Sequence, residues 1–195
     1  DYKVCHSASD VISAAKIIKF PLVLKTLSEN LHHKTEVNGV IVNIKNLEDL
    51  KENYRDLEKR LGKKVMISKM ISGGIEWSIG VKNDPDFGPA VMISLGGTMI
   101  DILNEKLILM APFTTNEVNK KLKTLRSYNL MTGYRGSNNY SIQKLCDAAS
   151  KISYLAFDFR RYIKEIDVNP IIVKEDDAIA VDNVFILKWW GEKSK

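Results

Sequence analysis

The sequence predicts an α+β fold of two lobes with a cleft between them. Helical and strand patterns alternate along the 195 residues, with no internal repeat and no low-complexity block. That length, with 45% hydrophobic content, suits one compact domain or two small lobes around a cleft. The run Ser72-Gly73-Gly74 is a hinge-like break after a β-rich stretch with two helices. Lobe one is therefore expected at about 1–71 and lobe two at about 72–195.

In the first lobe, Ser9–Lys19 places Val11, Ile12, Ala15 and Ile18 on one side of a helix. Pro21–Lys25 is a short apolar strand and Val40–Lys45 a second one. Asn46 caps a helix whose apolar face is Leu47, Leu50, Tyr54, Leu57 and Leu61, and Gly62 stops it. Lys64–Met70 is a third strand.

The second lobe opens with Ile75, Trp77, Ile79 and Val81 alternating with Glu76, Ser78 and Gly80, the pattern of a half-buried strand. Asn83-Asp84-Pro85 reads as a turn and Ala90–Leu95 as a strand bent by Gly96-Gly97. Thr114 and Glu117 form a capping box for a helix carrying Val118, Leu122 and Leu125. A loop at Gly133–Gly136 precedes a helix from Ser141 to about Phe157. Tyr162–Asn169 and Ala178–Asp182 are strands, with Ile171–Val173 between them.

A net charge of +5 and a pI near 9.0 favour anionic ligands such as nucleotides. The basic residues alternate with acidic ones, as along Asn46–Gly62, which describes a solvated helix face and no nucleic-acid surface. Cys5 and Cys146 are too far apart in sequence for a disulfide framework or a metal cluster and fit a reducing cytoplasm. No apolar run reaches the length of a membrane span and no signal peptide opens the chain, so no membrane partner is expected. The first residue is Asp1, which suggests a piece of something larger.

The strongest local constellation is Glu165-Ile166-Asp167-Val168-Asn169-Pro170. Alternation along a strand puts Glu165, Asp167 and Asn169 on one face. Three oxygen-bearing side chains in a row are costly to bury without a cation or donors. Pro170 is expected to break the ladder, and the chain then turns through Glu175–Asp177. A hairpin centred there brings Asp182 almost opposite Asn169, and the pair with phosphate oxygens could hold Mg²⁺. The same pattern also describes a solvated edge with an Asx-turn.

His32 and His33 lie on a loop, where an imidazole can accept a phosphoryl group or simply be solvated. Lys25 ends an apolar strand and either snorkels or points at an anion. Glu76 could meet a ribose hydroxyl or water. Arg135, between glycines, could clamp phosphate or sit exposed in a turn.

Read in order, these pieces resemble one family. Phe20-Pro-Leu-Val-Leu-Lys25 and His33-Lys-Thr-Glu-Val-Asn-Gly-Val40 look like its "YPVVLK…HKTDVGGV". Gly73-Gly-Ile-Glu76, Gly80-Val-Lys-Asn-Asp-Pro-Asp-Phe-Gly-Pro89, Leu95-Gly-Gly97 and Ala111-Pro112 follow, then Gly133-Tyr-Arg-Gly136, Ile166-Asp-Val-Asn-Pro170 and Ala180-Val-Asp182. This ordered set, spanning nearly the whole chain, is similar to the ATP-grasp portion of ADP-forming acyl-CoA synthetases such as acetate–CoA ligase. The family portion usually begins a helix earlier, which implies a truncated N-terminus.

The resemblance implies an ATP-grasp fold, with ATP or ADP and Mg²⁺ held between the lobes. It implies that Lys25 contacts nucleotide and that His33 is a transient phosphohistidine. Asn169 and Asp182 would bind Mg²⁺, Asp167 would support the histidine or phosphoryl group, and Lys69, Met70 and Ile71 would lie at the adenine hinge. The implied reaction is acyl-CoA + ADP + phosphate to acid + CoA + ATP, reversibly. No Gly-rich dinucleotide-type motif is present, so a CoA-binding domain or alpha subunit is expected as partner. Asn38, Lys69, Ser94 and Leu109 depart from the family pattern, at a glycine, a Gln or Glu, a glycine and an arginine respectively. Two other readings stand beside this one: a nucleotide-sensing regulatory module fused to an acetyltransferase, and a succinyl-CoA synthetase β-like ligase. His33 argues against the first. His33-Lys-Thr35 and Asp84-Pro-Asp-Phe-Gly-Pro89 argue against the second.

Overall fold

The computed structural model describes residues 1–28, 37–97, 104–133 and 139–188. The chain forms two compact units, Asp1–Ser72 and Gly73–Lys195. Helices and antiparallel sheets build both, the α+β class that the sequence predicts.

The first unit runs β1 (Tyr2–Cys5), α1 (Ala8–Ile18), β2 (Leu22–Thr26), β3 (Val40–Ile44), α2 (Leu47–Leu61) and β4 (Val65–Lys69). Its sheet has the order β1-β4-β2-β3, and every neighbouring pair is antiparallel. Leu22, Leu24, Ile44, Val65 and Ile67 of the sheet pack against Val11, Ala14, Ala15, Ile18, Leu50, Tyr54 and Leu57 of the helices. Each buried Val, Leu or Ile side chain among them contributes roughly 1.5–3 kcal/mol. Asn46 caps α2 as its sequence position predicts: its Oδ1 accepts the amides of Glu48 and Asp49, each at 2.9 Å. Gly62 closes the helix at φ +93°, and its N–H donates to the Glu58 carbonyl.

The second unit runs β5 (Ile75–Asp84), β6 (Gly88–Leu95), β7 (Lys106–Met110), α3 (Thr115–Leu122), α4 (Tyr128–Met131), α5 (Ile142–Asp158), β8 (Ile163–Val173), β9 (Ala178–Ala180) and β10 (Asn183–Leu187). The strand order is β10-β8-β5-β6-β7, and β9 pairs with the far end of β8. Trp77, Ile79, Val91, Ile93, Ile166 and Val168 form a core with Val118, Leu122, Leu145, Cys146 and Ala149 of α3 and α5. The capping box at Thr114 and Glu117 is formed. With one sheet face committed to this core, the alternate residues of the strands are left on the other face.

Two expectations need correcting. Asn83 does not turn: β5 continues to Asp84, whose Oδ1 accepts the amides of Asp86 and Phe87 at 2.9 Å each, so the bend falls at 85–87. Pro170 does not end its strand either. The register of β5 against β8 jumps between Trp77 and Ile79, so Asn169 and Pro170 bulge opposite Ser78, and the missing N–H falls where the ladder is already interrupted. On the other side the Pro170 carbonyl accepts from the Val181 amide at 3.1 Å, and β8 runs on to Val173.

Candidate functional site

The site is assembled on the uncommitted face of the second sheet. Val168 pairs with Asn183, and Ile171 pairs with Ala180 in the same register, which puts Asn169 opposite Asp182. The Asn169 amide donates to the Asp182 carbonyl at 3.2 Å. Asp167 lies one step along the same face, opposite Val184. The core-side neighbours Ile166 and Val168 are buried at 2% and 5% exposure, which fixes the outward direction of Asp167 and Asn169. The sequence reading placed these three side chains together, and the hairpin does bring them together.

The Asp167 charge is penalised where it stands. Partial desolvation raises the Asp167 carboxyl above the usual carboxylate range, and the neighbouring Asp182 charge adds to the rise. A hard cation beside these oxygens would relieve the penalty on the Asp167 charge. Asp182 also holds the local turn, accepting the Asn183 amide at 3.0 Å. Among the described residues no group of three or more His, Cys, Asp or Glu side chains is placed to hold a metal. A divalent ion here would draw its remaining ligands from waters and ligand oxygens, as Mg²⁺ on nucleotides does.

Asp167 also lines a groove of about 470 Å³ within this unit. Gly80 also lines it; Lys82 and Glu165 supply charge, and Met92, Ile108, Val184 and Ile186 supply apolar lining. The sequence reading did not single out Lys82, although its alternation with Val81 was the available signal. Glu76 sits nearer the start of β5, opposite Ile172. The Gly96-Gly97 pair accommodates it: the Gly96 amide donates to the Glu76 carbonyl at 2.7 Å. A Cβ at Gly97 would lie 2.8 Å from the Glu76 Oε2. The glycines thus admit the Glu76 carboxylate against the backbone.

In the first unit Lys25 is buried, at 6% exposure, on the side of β2 away from Leu22 and Leu24. The Lys69 ammonium donates to the carbonyls of Lys19 at 3.1 Å and Phe20 at 2.7 Å, so this side chain fastens the end of α1. The Met70 amide donates to the Pro21 carbonyl at 3.0 Å, and Ile71 is half-buried after β4. His33 and Arg135 lie outside the described residues.

A family model described as ATP-grasp domain matches residues 1–187. The chain belongs to the ATP-grasp family. Within it, the chain is 34% identical over 195 residues to the beta subunit of the ADP-forming acetate–CoA ligase I of Pyrococcus furiosus, covering 96% of this chain and 84% of the relative. The solved structure of the Ca. Korarchaeum cryptofilum dinucleotide-forming acetyl-coenzyme A synthetase 1 in complex with coenzyme A, Ca-AMPCP and HgCl+ is similar. Its TM-score is 0.87 at 28% identity, over 96% of this chain and 85% of that one. The same enzyme with coenzyme A and Mg-AMPPCP, its phosphohistidine segment pointing towards the nucleotide binding site, gives a TM-score of 0.83 at 28% identity, over 95% and 84% of the two chains. This ATP-grasp chain is therefore a member of the ADP-forming acyl-CoA synthetase branch.

Three departures from the family pattern acquire a place. Asn38 adopts φ +50°, a conformation asparagine takes more readily than most residues, so it can replace a glycine there. Leu109 pairs with Val91 and packs against the core, on the face opposite Asp167. Ser94 pairs with Ser78, and both are buried, at 7% and 5% exposure.

Proposed function

We propose that this chain is the nucleotide-binding, phosphoryl-transfer part of an ADP-forming acyl-CoA synthetase. The observation that carries the reading is the set Asp167, Asn169 and Asp182 on one face of the β8 hairpin of an ATP-grasp chain. Asn169 and Asp182 hold Mg²⁺, which neutralises charge on the nucleotide phosphates. Lys25 contacts the nucleotide and Glu76 the ribose, Lys69–Ile71 supplies backbone at the base, and Arg135 clamps phosphate. His33 takes a phosphoryl group on a ring nitrogen and passes it to ADP, and Asp167 steadies the imidazole or the group in transit. A CoA-binding domain or alpha subunit handles the acyl half, and the reaction runs in the cytoplasm. The raised Asp167 carboxyl beside Asp182 and the buried Lys25 support this assignment.

Calorimetry with ADP, with and without Mg²⁺, tests it. Asp182→Ala is expected to weaken Mg-ADP binding by about tenfold or more and to leave metal-free ADP within about twofold, because the carboxylate acts through the cation. Equal losses in both conditions would assign Asp182 a purely structural role in the hairpin. A parent protein that shows neither heat nor thermal shift at millimolar nucleotide would remove the reading altogether.

The raised Asp167 carboxyl gives a pH dependence with a definite sign. In the folded apo-protein Asp167 binds its proton more tightly than in the unfolded chain. Stability therefore falls as pH rises from the ordinary carboxylate range through the raised value. A cation competes with that proton, so Mg-ADP affinity rises through the same window. Asp167→Asn should flatten both profiles and raise the apo melting temperature at pH 7. A variant that melts lower than the parent would show that the charge is not penalised.

A further inference from the structure

Arg60, in the last turn of α2, makes four hydrogen bonds with one guanidinium. Nε and Nη2 both donate to Oδ2 of Asp56, one turn back, at 2.9 and 2.7 Å. Nη1 donates to the Val37 carbonyl at 3.1 Å and Nη2 to the Asn38 carbonyl at 3.3 Å. Val37 and Asn38 stand four and five residues after His33. Directly beyond them the Gly39 carbonyl accepts the Thr26 amide at 2.8 Å, and Val40 pairs with Lys25. The fork of Arg60 therefore grips the chain at the left-handed Asn38, between the histidine and the strand that borders the buried lysine.

Stability alone gives little reason for this arrangement. The pair is surface-exposed, with side chains 36% and 55% accessible, and exposed ion pairs add little. The two carbonyls could be hydrated at similar cost. A planar fork does something that water and lysine cannot: it holds two consecutive carbonyls and a carboxylate in one plane and so fixes the direction of the chain.

We propose that Arg60, oriented by Asp56, is a positioning residue for phosphoryl transfer, fixing Val37 and Asn38, the residues that stand between His33 and β3 in the sequence. The proposal rests on the reading of His33 as phosphoryl carrier. It assigns Arg60 no contact with nucleotide.

The test uses the chain assembled with its CoA-handling partner and measures two quantities on each variant. One is the single-turnover rate at which acid-labile phosphate enters the chain from Mg-ATP; the other is the calorimetric Kd for Mg-ATP. Arg60→Met should slow phosphate entry by about tenfold while changing Kd by less than about twofold, since misplacing a reacting group penalises the step and not the binding. Arg60→Lys should recover only part of the rate, because an ammonium cannot fork, and Asp56→Asn should fall between Arg60→Met and the parent. Melting temperatures should stay within about 2 °C of the parent. Phosphate entry at the parental rate in Arg60→Met overturns the proposal, as does a parallel loss of Kd and rate or full recovery in Arg60→Lys. A parent that binds Mg-ATP yet takes up no acid-labile phosphate removes the His33 reading itself, and the role of Arg60 falls with it.

Discussion

His33→Ala is expected to abolish acyl-CoA-dependent ATP formation, by at least about 10³-fold, once the CoA-handling partner is supplied. A neutral imidazole nitrogen is a good phosphoryl acceptor, and no other side chain in the His33-Lys34-Thr35 run can replace it. Lys34 can offset phosphate charge and Thr35 can donate a hydrogen bond, but neither accepts the group as readily. The affinity for Mg-ADP should stay within about twofold, because a carrier need not contribute to ground-state binding. His32→Ala is the control and should retain activity, since the family motif places its histidine directly before Lys-Thr. A His33 variant that still makes ATP near the parental rate, in a complex where the parent is active, would end the phosphohistidine assignment.

Much of the site was legible because its signals are local. The alternation of Ile166 and Val168 with Asp167 and Asn169 sets a face, and the polar turn at Glu175–Asp177 sets a register. Together they predict Asp182 opposite Asn169, the register that the hairpin shows. The same logic missed elements that have no alternation to display. In β10 every residue from Asn183 to Leu187 is exposed, so the apolar run has no buried face to betray it. In β1 Cys5 alone is buried, and α4 is four residues long, too short for a period of 3.6. Pro170 misled because its missing N–H was weighed without the bulge that absorbs it. Long-range side-chain contacts were out of reach altogether. The Lys69 ammonium finds carbonyls 49 and 50 residues away in sequence, and Arg60 reaches back 22 and 23 residues. Leu109, where the family pattern has an arginine, lies on a strand that the sequence does not reveal. Once β7 is paired with β6, Leu109 points with Val91 into the core.

Gly74→Ala, at the residue directly before β5, is expected to destabilise the second unit strongly. Gly74 has φ +103°, a conformation that side-chain-bearing residues rarely adopt. A Cβ there would lie 2.7 Å from Cγ2 of Ile172 and 2.7 Å from the Val173 carbonyl oxygen. The Ile172 methyl could yield by a rotamer change, but the carbonyl belongs to β8, where Val173 pairs with Ile75. Relief therefore requires opening the end of the β5–β8 ladder, beside a core in which Trp77 is 1% exposed. The combined cost of backbone strain and overlap is about 2–4 kcal/mol. Gly73→Ala provides the comparison: at φ +69° its Cβ would meet nothing within 4 Å, so only the left-handed backbone cost of about 1–2 kcal/mol remains. Thermal unfolding followed by near-ultraviolet circular dichroism should rank the parent above Gly73→Ala and Gly73→Ala above Gly74→Ala. Equal melting of the two variants would mean that the β8 carbonyl gives way easily. Glu76 lies two residues further on, in β5, so Gly74→Ala should also weaken ADP binding in whatever fraction remains folded, whereas Gly73→Ala should leave it nearly unchanged.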